Sequence, residues 1–333
     1  MAHLIENRDG IDQFAYVGNR AWHGLGQQLQ PGASPDDMKK AAGLDWRVIE
    51  KPLYVQNADG TFSQINTHKQ IARDIDGAQF SVAGINWTPT QNDNFFSFCG
   101  DVAAAIPGSF VETAGALRDG KTPFALVNLG KDFSVGKSAD KVRSYLLLSW
   151  SHMVGRANRA KLVNERVVCA NTEAVALGEN GAEYTQTHSA AFDFASVGQL
   201  LEIAVSKIEQ QAVDYNKLTT VNMTSFDVVK FLQPMLQPMT AEELEAANTN
   251  EAKFLEELVA GVGRNRAMEE VLDSIQTAPG ATPGTAWGVF NGMTYYTSHR
   301  VGRVQDARLT SAWFGDRSKL VAATKKGLLQ LAA

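Results

Sequence analysis

Cysteine is scarce in this chain: Cys99 and Cys169 are the two in 333 residues. A disulfide framework is not indicated, and a reducing compartment, the cytoplasm, is the expectation. Long apolar runs are missing too. No window approaches the ~18 consecutive apolar residues a bilayer span needs, and the opening MAHLIENRDG has no apolar core of a signal peptide. No membrane partner is expected. Positive charge is not in excess: 31 Lys and Arg face 36 Asp and Glu, a net charge of −5. The global field therefore does not advertise a polyanion partner, although a local basic stripe remains allowed. Metal-ligand spacing is absent as well. None of His3, His23, His68, His152, His188 and His299 pairs with another His or Cys at such spacing, so no metal is expected. The G-x-S-x-G nucleophile pattern does not occur. The acidic pairs Asp36–Asp37 and Glu242–Glu243 read as exposed charges at helix N-termini.

What is present is an ordinary globular composition, 44% apolar and 20% charged, enough for a sizeable core. Residues 1–43 are rich in Gly and polar side chains and read as an N-terminal arm with one short strand. From Leu44 the texture changes to hairpins, with turn signals at Asp59-Gly60 and Asp76-Gly77. TPTQNDNFFSFCGDVAAAI reads as a helix, with Thr90 as its cap. RVVCANT reads as a strand through Val167, Val168 and Cys169, with Cys169 a core thiol and Asn171 capping a following helix. After residue 192 the period becomes helical, with helix starts near Phe194, at Thr224 and at Thr240. QTAPGATPGT is a Pro/Gly loop, and AWGVFNGMTYYTSH reads as aromatic strand before a short closing helix. The expected architecture is α+β: a hairpin-rich antiparallel sheet packed with helices over 44–192, a helical segment over 193–275, and a C-terminal segment, 276–333, whose strands return to the sheet.

One stretch carries an enzyme signal. GALRDGKT, residues 115–122, satisfies the phosphate-loop pattern G-x-x-x-x-G-K-[ST] letter for letter. A phosphate loop works because a buried strand feeds a helix whose N-terminal N–H groups surround the phosphates. Here PGSFVETA precedes it, and Pro123 with the short β-rich FALVNLG follows. The context fits an Asp-Gly hairpin turn instead. No nucleotide cofactor is expected, and Lys121→Ala should leave folding and activity nearly intact.

The cations are more informative. Lys137, Lys141, Arg143, Arg156, Arg159, Lys161 and Arg166 lie in a run with no acid between Asp140 and Glu165. A second cluster holds Arg300, Arg303 and Arg308. Beside the reading as a solvated hairpin face stands a phosphate-tracking stripe, with Trp150 or Tyr145 available to stack on bases.

AWHGLG, WTPTQNDNFFSF, ETAGALRDGK, RVVCANT and GTAWGVFNGMTYYTSH, in this order, resemble the phage/plasmid-like protein family, domain of unknown function 932, over about residues 12 to 330. The resemblance implies a mobile-element protein. The family often shows a Ser-His-Asp-Gly-Ser-like run where this chain has SHMVG, so the Asp that would accompany His152 is missing. By analogy with the annealing proteins that phages and plasmids encode, the expected function is an oligomeric single-stranded DNA binding or annealing protein without nucleotide hydrolysis. Its expected contacts are Lys141, Arg143, Trp150, Arg156, Arg159, Lys161, Arg166, Arg300 and Arg303. The alternatives are a structural or host-interaction protein of the phage, and a nucleotide-using enzyme built on Gly115–Thr122.

Overall fold

The structure, a computed structural model, describes residues 5–18, 24–136, 140–166, 171–175, 183–236, 266–301 and 316–332. Two compact units interleave along the chain. The first takes in Met1–Lys131, Ser144–Val163 and Ala176–Val205; the second takes in Asp132–Arg143, Asn164–Val175 and Ser206–Ala333. The fold is α+β, rich in antiparallel pairing. Among the described residues no helix is long and apolar enough to cross a membrane.

In the first unit, β1 (Asn7–Arg8) and β2 (Ile11–Asp12) form a small hairpin. β3 (Phe14–Val17) follows, and all of its side chains are buried. It is an inner strand, pairing in parallel with β4 (Gln27–Leu29) and antiparallel with β8 (Phe110–Leu117). The segment expected as an irregular arm thus contributes to the main sheet. Its small helix α1 (Pro35–Ala41) starts at Ser34, whose hydroxyl accepts from the Asp37 N–H while Asp37 accepts from the Ser34 N–H, a reciprocal cap. A separate sheet of β5 (Val48–Gln56), β6 (Phe62–Arg73) and β7 (Gln79–Gly84) turns at Gly60 and Gly77, both at positive φ. Helix α2 (Asn92–Ala105) begins one residue after Gln91, which makes no side-chain cap; Thr90 instead accepts from Asn158 Nδ2 at 2.7 Å. It buries Phe95, Phe98 and Val102, as their spacing requires.

The main sheet of this unit continues from β8 to β9 (Thr122–Asn128), then to β11 (Asp140–Ser149) and β12 (Asn158–Arg166), with β14 (Glu183–Gln186) also beside β12. β8 and β9 settle the phosphate-loop signal. Gly115 is a buried strand residue opposite Phe124, and Thr122 opens the return strand opposite Leu117. Arg118 and Asp119 take φ of 58° and 56° and Gly120 takes 81°, a tight turn closed by the Lys121 N–H on the Arg118 carbonyl. No helix follows, so no N-terminus faces a phosphate. Lys121 is half-buried in this turn, and Lys121→Ala is expected to change stability by less than about 0.5 kcal/mol, since it removes neither a core side chain nor a cap. A loss well beyond that in a urea melt would contradict this.

In the second unit, β10 (Phe133–Val135) pairs antiparallel with the first residues of β11. β13 (Asn171–Val175) opens on Asn171, which therefore starts a strand and caps no helix. The pattern R-V-V-C-A-N-T carries no mark that separates a cap from a strand start; Val167, Val168 and Cys169 lie outside the described residues. Helix α3 (Phe194–Thr220) ends in this unit. Helix α4 (Ser225–Leu236) starts where TSFD predicts: the Thr224 and Asp227 side chains accept from one another's backbone N–H, Asp227 at 2.9 Å and Thr224 at 3.2 Å. The start expected at Thr240 lies outside the described residues. Helix α5 (Arg266–Thr277) packs on α6 (Ala286–Tyr295), which runs into a π-helical turn, Tyr296–Arg300; α7 (Asp316–Leu331) follows.

The expected C-terminal strands are corrected here: AWGVFNGMTY is helix. Thr285 caps it, its hydroxyl accepting from the Gly288 N–H at 3.0 Å. Ala286 through Thr294 are all buried, and a helix buried all round has no polar face to betray its period. Gly292 makes that burial possible, since a Cβ there would lie 2.3 Å from Ile275 Cγ1 on α5. Tyr215, Leu218, Leu232, Met268, Val271, Trp287 and Phe290 form the core of this unit.

Candidate nucleic-acid interface

The expected basic contacts do not share one fate. Trp150 is corrected first: it is fully buried, its ring stacked on Phe95 with centroids 4.3 Å apart. Its indole N–H donates to Asn92 Oδ1 at 2.8 Å, while Asn92 Nδ2 donates to the Leu44 carbonyl at 3.0 Å. The ring is locked between α2 and the sheet and offers no face to a base. Tyr145 is buried as well, its hydroxyl donating to Glu112 at 3.1 Å. Lys161 is also removed from the surface, being 3% exposed on β12. Arg300 is half-buried: its guanidinium donates to the Asp273 carboxylate and lies 5.7 Å over the Tyr295 ring, tying the π-helical turn to α5. Arg303, Arg308 and Lys137 lie outside the described residues, and Arg166 is the last residue of β12.

Arg156, Arg159, Lys141 and Arg143 retain access to solvent. In the first unit Arg156 is exposed on the turn Ser151–Ala157, beside exposed Val154, and Arg159 is half-buried at the start of β12. In the second unit Lys141 is exposed and Arg143 half-buried, two apart on β11 and so on one face. Arg143 has Asp132 3.8 Å away.

A second, buried constellation lies below the Ser151–Ala157 turn, and sequence reading missed it. Arg73, at the end of β6, is 3% exposed. Its Nη1 donates to Glu6 Oε1 at 2.6 Å, and its Nε and Nη2 fork onto the Asp76 carboxylate at 3.0 and 2.6 Å. The Trp46 and Phe80 rings lie 5.3 and 5.8 Å from the guanidinium carbon. His152 completes the group, stacked on Phe80 at 5.3 Å and edge-on to Trp46 at 5.2 Å. Among the described residues neither ring nitrogen of His152 finds a hydrogen-bond partner, nor does Trp46 Nε1 or Glu6 Oε2. The Arg118–Lys121 turn covers the ion pair. A Cβ at Gly120 would sit 2.8 Å from Arg73 Nη1 and 3.0 Å from Glu6 Oε2, so glycine is required there by space as well as by φ.

Electrostatics follow from these contacts. Burial, with His188 and Arg73 adding, pushes the His152 imidazole down to about 3. The hydrogen bonds from Arg73 hold Asp76 down at about 2. Burial pushes the Cys99 thiol up to about 12, an inert core group. Among the described residues no cluster of His, Cys, Asp and Glu could hold a metal ion. His152 is thus a buried neutral ring, with no carboxylate hydrogen-bonded to it among the described residues. The signal that could have exposed this site is weak: an Arg-x-x-Asp spacing at 73–76 and a Glu that is 67 residues away in sequence.

Comparison with known proteins adds one finding. The family model described as Domain of unknown function (DUF932) matches residues 79–313. No curated protein matches the chain. No solved structure matches it.

Proposed function

The chain belongs to the DUF932 family, and from that premise we propose a phage or plasmid protein that binds and anneals single-stranded DNA as a homo-oligomer in the host-cell cytoplasm, without hydrolysing nucleotide. One observation carries this reading: from Lys141 to Asn164 the chain holds no acid, and Arg156 stands exposed at the turn in the middle of that run. Four of its five cations, Lys141, Arg143, Arg156 and Arg159, keep access to solvent in a chain of net −5. Acid-free runs of cations in an otherwise acidic chain support contact with phosphate at those cations.

The chemistry needed is modest. Guanidinium groups neutralise backbone phosphates and release counterions. The buried Trp150 leaves stacking out of the reading, so backbone tracking supplies the affinity. Two arginines per subunit bind weakly alone, and several subunits along one strand multiply the effect. The absence of a helix after Gly120-Lys121 removes the support for the nucleotide-using alternative.

The test is a titration with a labelled single-stranded oligonucleotide between about 50 and 300 mM salt. Arg156→Ala with Arg159→Ala should flatten the slope of log affinity against log salt by about 1.4 per subunit, roughly 0.7 for each phosphate contact. Lys161 is left in place because it is buried. No binding by the unmutated protein at the lowest salt would overturn the reading in favour of a structural or host-interaction role.

A further inference from the structure

The β5–β6 hairpin extends past β7, which pairs only with His68–Ala72 of β6. Beyond that point every residue from Tyr54 to Gln64 is exposed. Tyr54, Val55 and Phe62 are 56%, 50% and 67% exposed, the large apolar side chains of the projecting tip. Leu53 pairs with Ile65 and Val55 with Ser63, so those four share one face; Tyr54 with Gln64 and Gln56 with Phe62 share the other. Apolar groups thus stand on both faces of a two-stranded arm, and two strands alone cannot bury them.

The outer edge of β5 is protected at its base and open at its tip. The Val48 N–H donates to Gln91 Oε1 and Gln91 Nε2 donates to the Val48 carbonyl, both at 2.9 Å, so a side chain occupies the edge as a strand would. Pro52, four residues on and so facing the same edge, offers no donor. From Leu53 to Gln56 the edge carries no lysine, no inward charge and no proline, and the register shift of the β5–β6 pair lies before it, between Pro52 and Leu53. Between Pro52 and Thr67 the only charged side chain is Asp59, an acid at the turn. That composition offers no cation to a polyanion or an anionic membrane. It also suits a self-complementary contact, in which any charge near the two-fold axis would face itself.

We propose that the tip of this arm is the self-association site of the protein, pairing edge to edge with the same arm of a second copy. An antiparallel two-fold centred on Val55 sets Tyr54 against Gln56 of the second copy and Val55 against its own equivalent. The two hairpins become one four-stranded sheet, and the apolar side chains on each face gain neighbours. This inference rests on the oligomer of the preceding reading and gives it an interface, yet its test needs no DNA.

Sedimentation velocity on the full chain without DNA, over about a hundred-fold range of concentration, reads the association directly. The wild-type protein should rise to at least twice the monomer mass. Val55→Lys and Val55→Glu should each stay monomeric, because like charges meet at the axis, and their thermal melts should match wild type at so exposed a position. An equimolar mixture of the two variants should regain the wild-type mass, an outcome that misfolded variants could not produce. A wild-type protein that stays monomeric, a Val55→Lys variant that keeps the wild-type mass, or wild-type flotation with phosphatidylcholine vesicles would each overturn the proposal. Self-association without salt-dependent DNA binding removes only the DNA-binding reading; DNA binding by a protein that stays monomeric removes this interface and the oligomer, and leaves phosphate binding standing.

Discussion

Acidification from about pH 7.5 to about pH 4.5 is expected to cost on the order of 2–3 kcal/mol through His152 alone. In the folded protein its imidazole stays neutral until about pH 3, because the ring is buried with His188 and Arg73 nearby. In the unfolded chain the same ring takes up a proton below its ordinary value of about 6.5. The unfolded state therefore binds more protons throughout that interval, and stability falls as pH falls. The contribution is fully present above about 6.5 and fully lost only below about 3. Asp76 titrates lower in the folded state, at about 2, so its loss belongs mainly to a window below the ordinary carboxylate value of about 3.9. His188, also lowered by burial, adds in the same direction as His152.

His152→Phe isolates the contribution. Phenylalanine keeps a ring stacked on Phe80 and removes two nitrogens that find no hydrogen-bond partner among the described residues. The variant should be as stable as wild type or more so at neutral pH, since an unsatisfied buried polar group is itself a cost. Its urea midpoint should change much less between the two pH values. Parallel pH dependence in the two proteins would show that His152 does not carry the effect.

Arg73→Ala is expected to cost about 3–5 kcal/mol, because it strands the buried Glu6 carboxylate without its partner. Both side chains are about 4% exposed, so water cannot substitute. The guanidinium also ties two distant segments, at Glu6 and Trp46, to its own Asp76 turn and Phe80. Pairing Arg73→Ala with Glu6→Gln should recover part of the loss, since the stranded charge is then gone. Urea unfolding of the two singles and the double gives the coupling. Singles that each cost less than about 1 kcal/mol would place the pair in effective contact with solvent.

Local features are legible in the residues alone. Asp59-Gly60, Asp76-Gly77 and Asp119-Gly120 are turns because a short acid beside glycine accepts backbone angles that other residues resist. Thr224 starts a helix because its cap partner, Asp227, is only three residues away. That GALRDGKT is a hairpin turn follows from the same short-range reasoning, since what surrounds a loop in sequence decides whether a helix can follow it. Which of the acid-free cations and aromatics reach solvent depends instead on tertiary packing. Trp150 and Lys161 sit in the same run as Arg156, and alternation along a strand does not say which face a helix will cover. Here α2 covers it, through Phe95 and Asn92. The Arg73–Glu6 pair bridges 67 positions, and AWGVFNGMTY hides its helical period because the neighbours of α6 bury every side. In each case the deciding contact comes from a segment far along the chain, and sequence periodicity records only what neighbouring residues impose on one another.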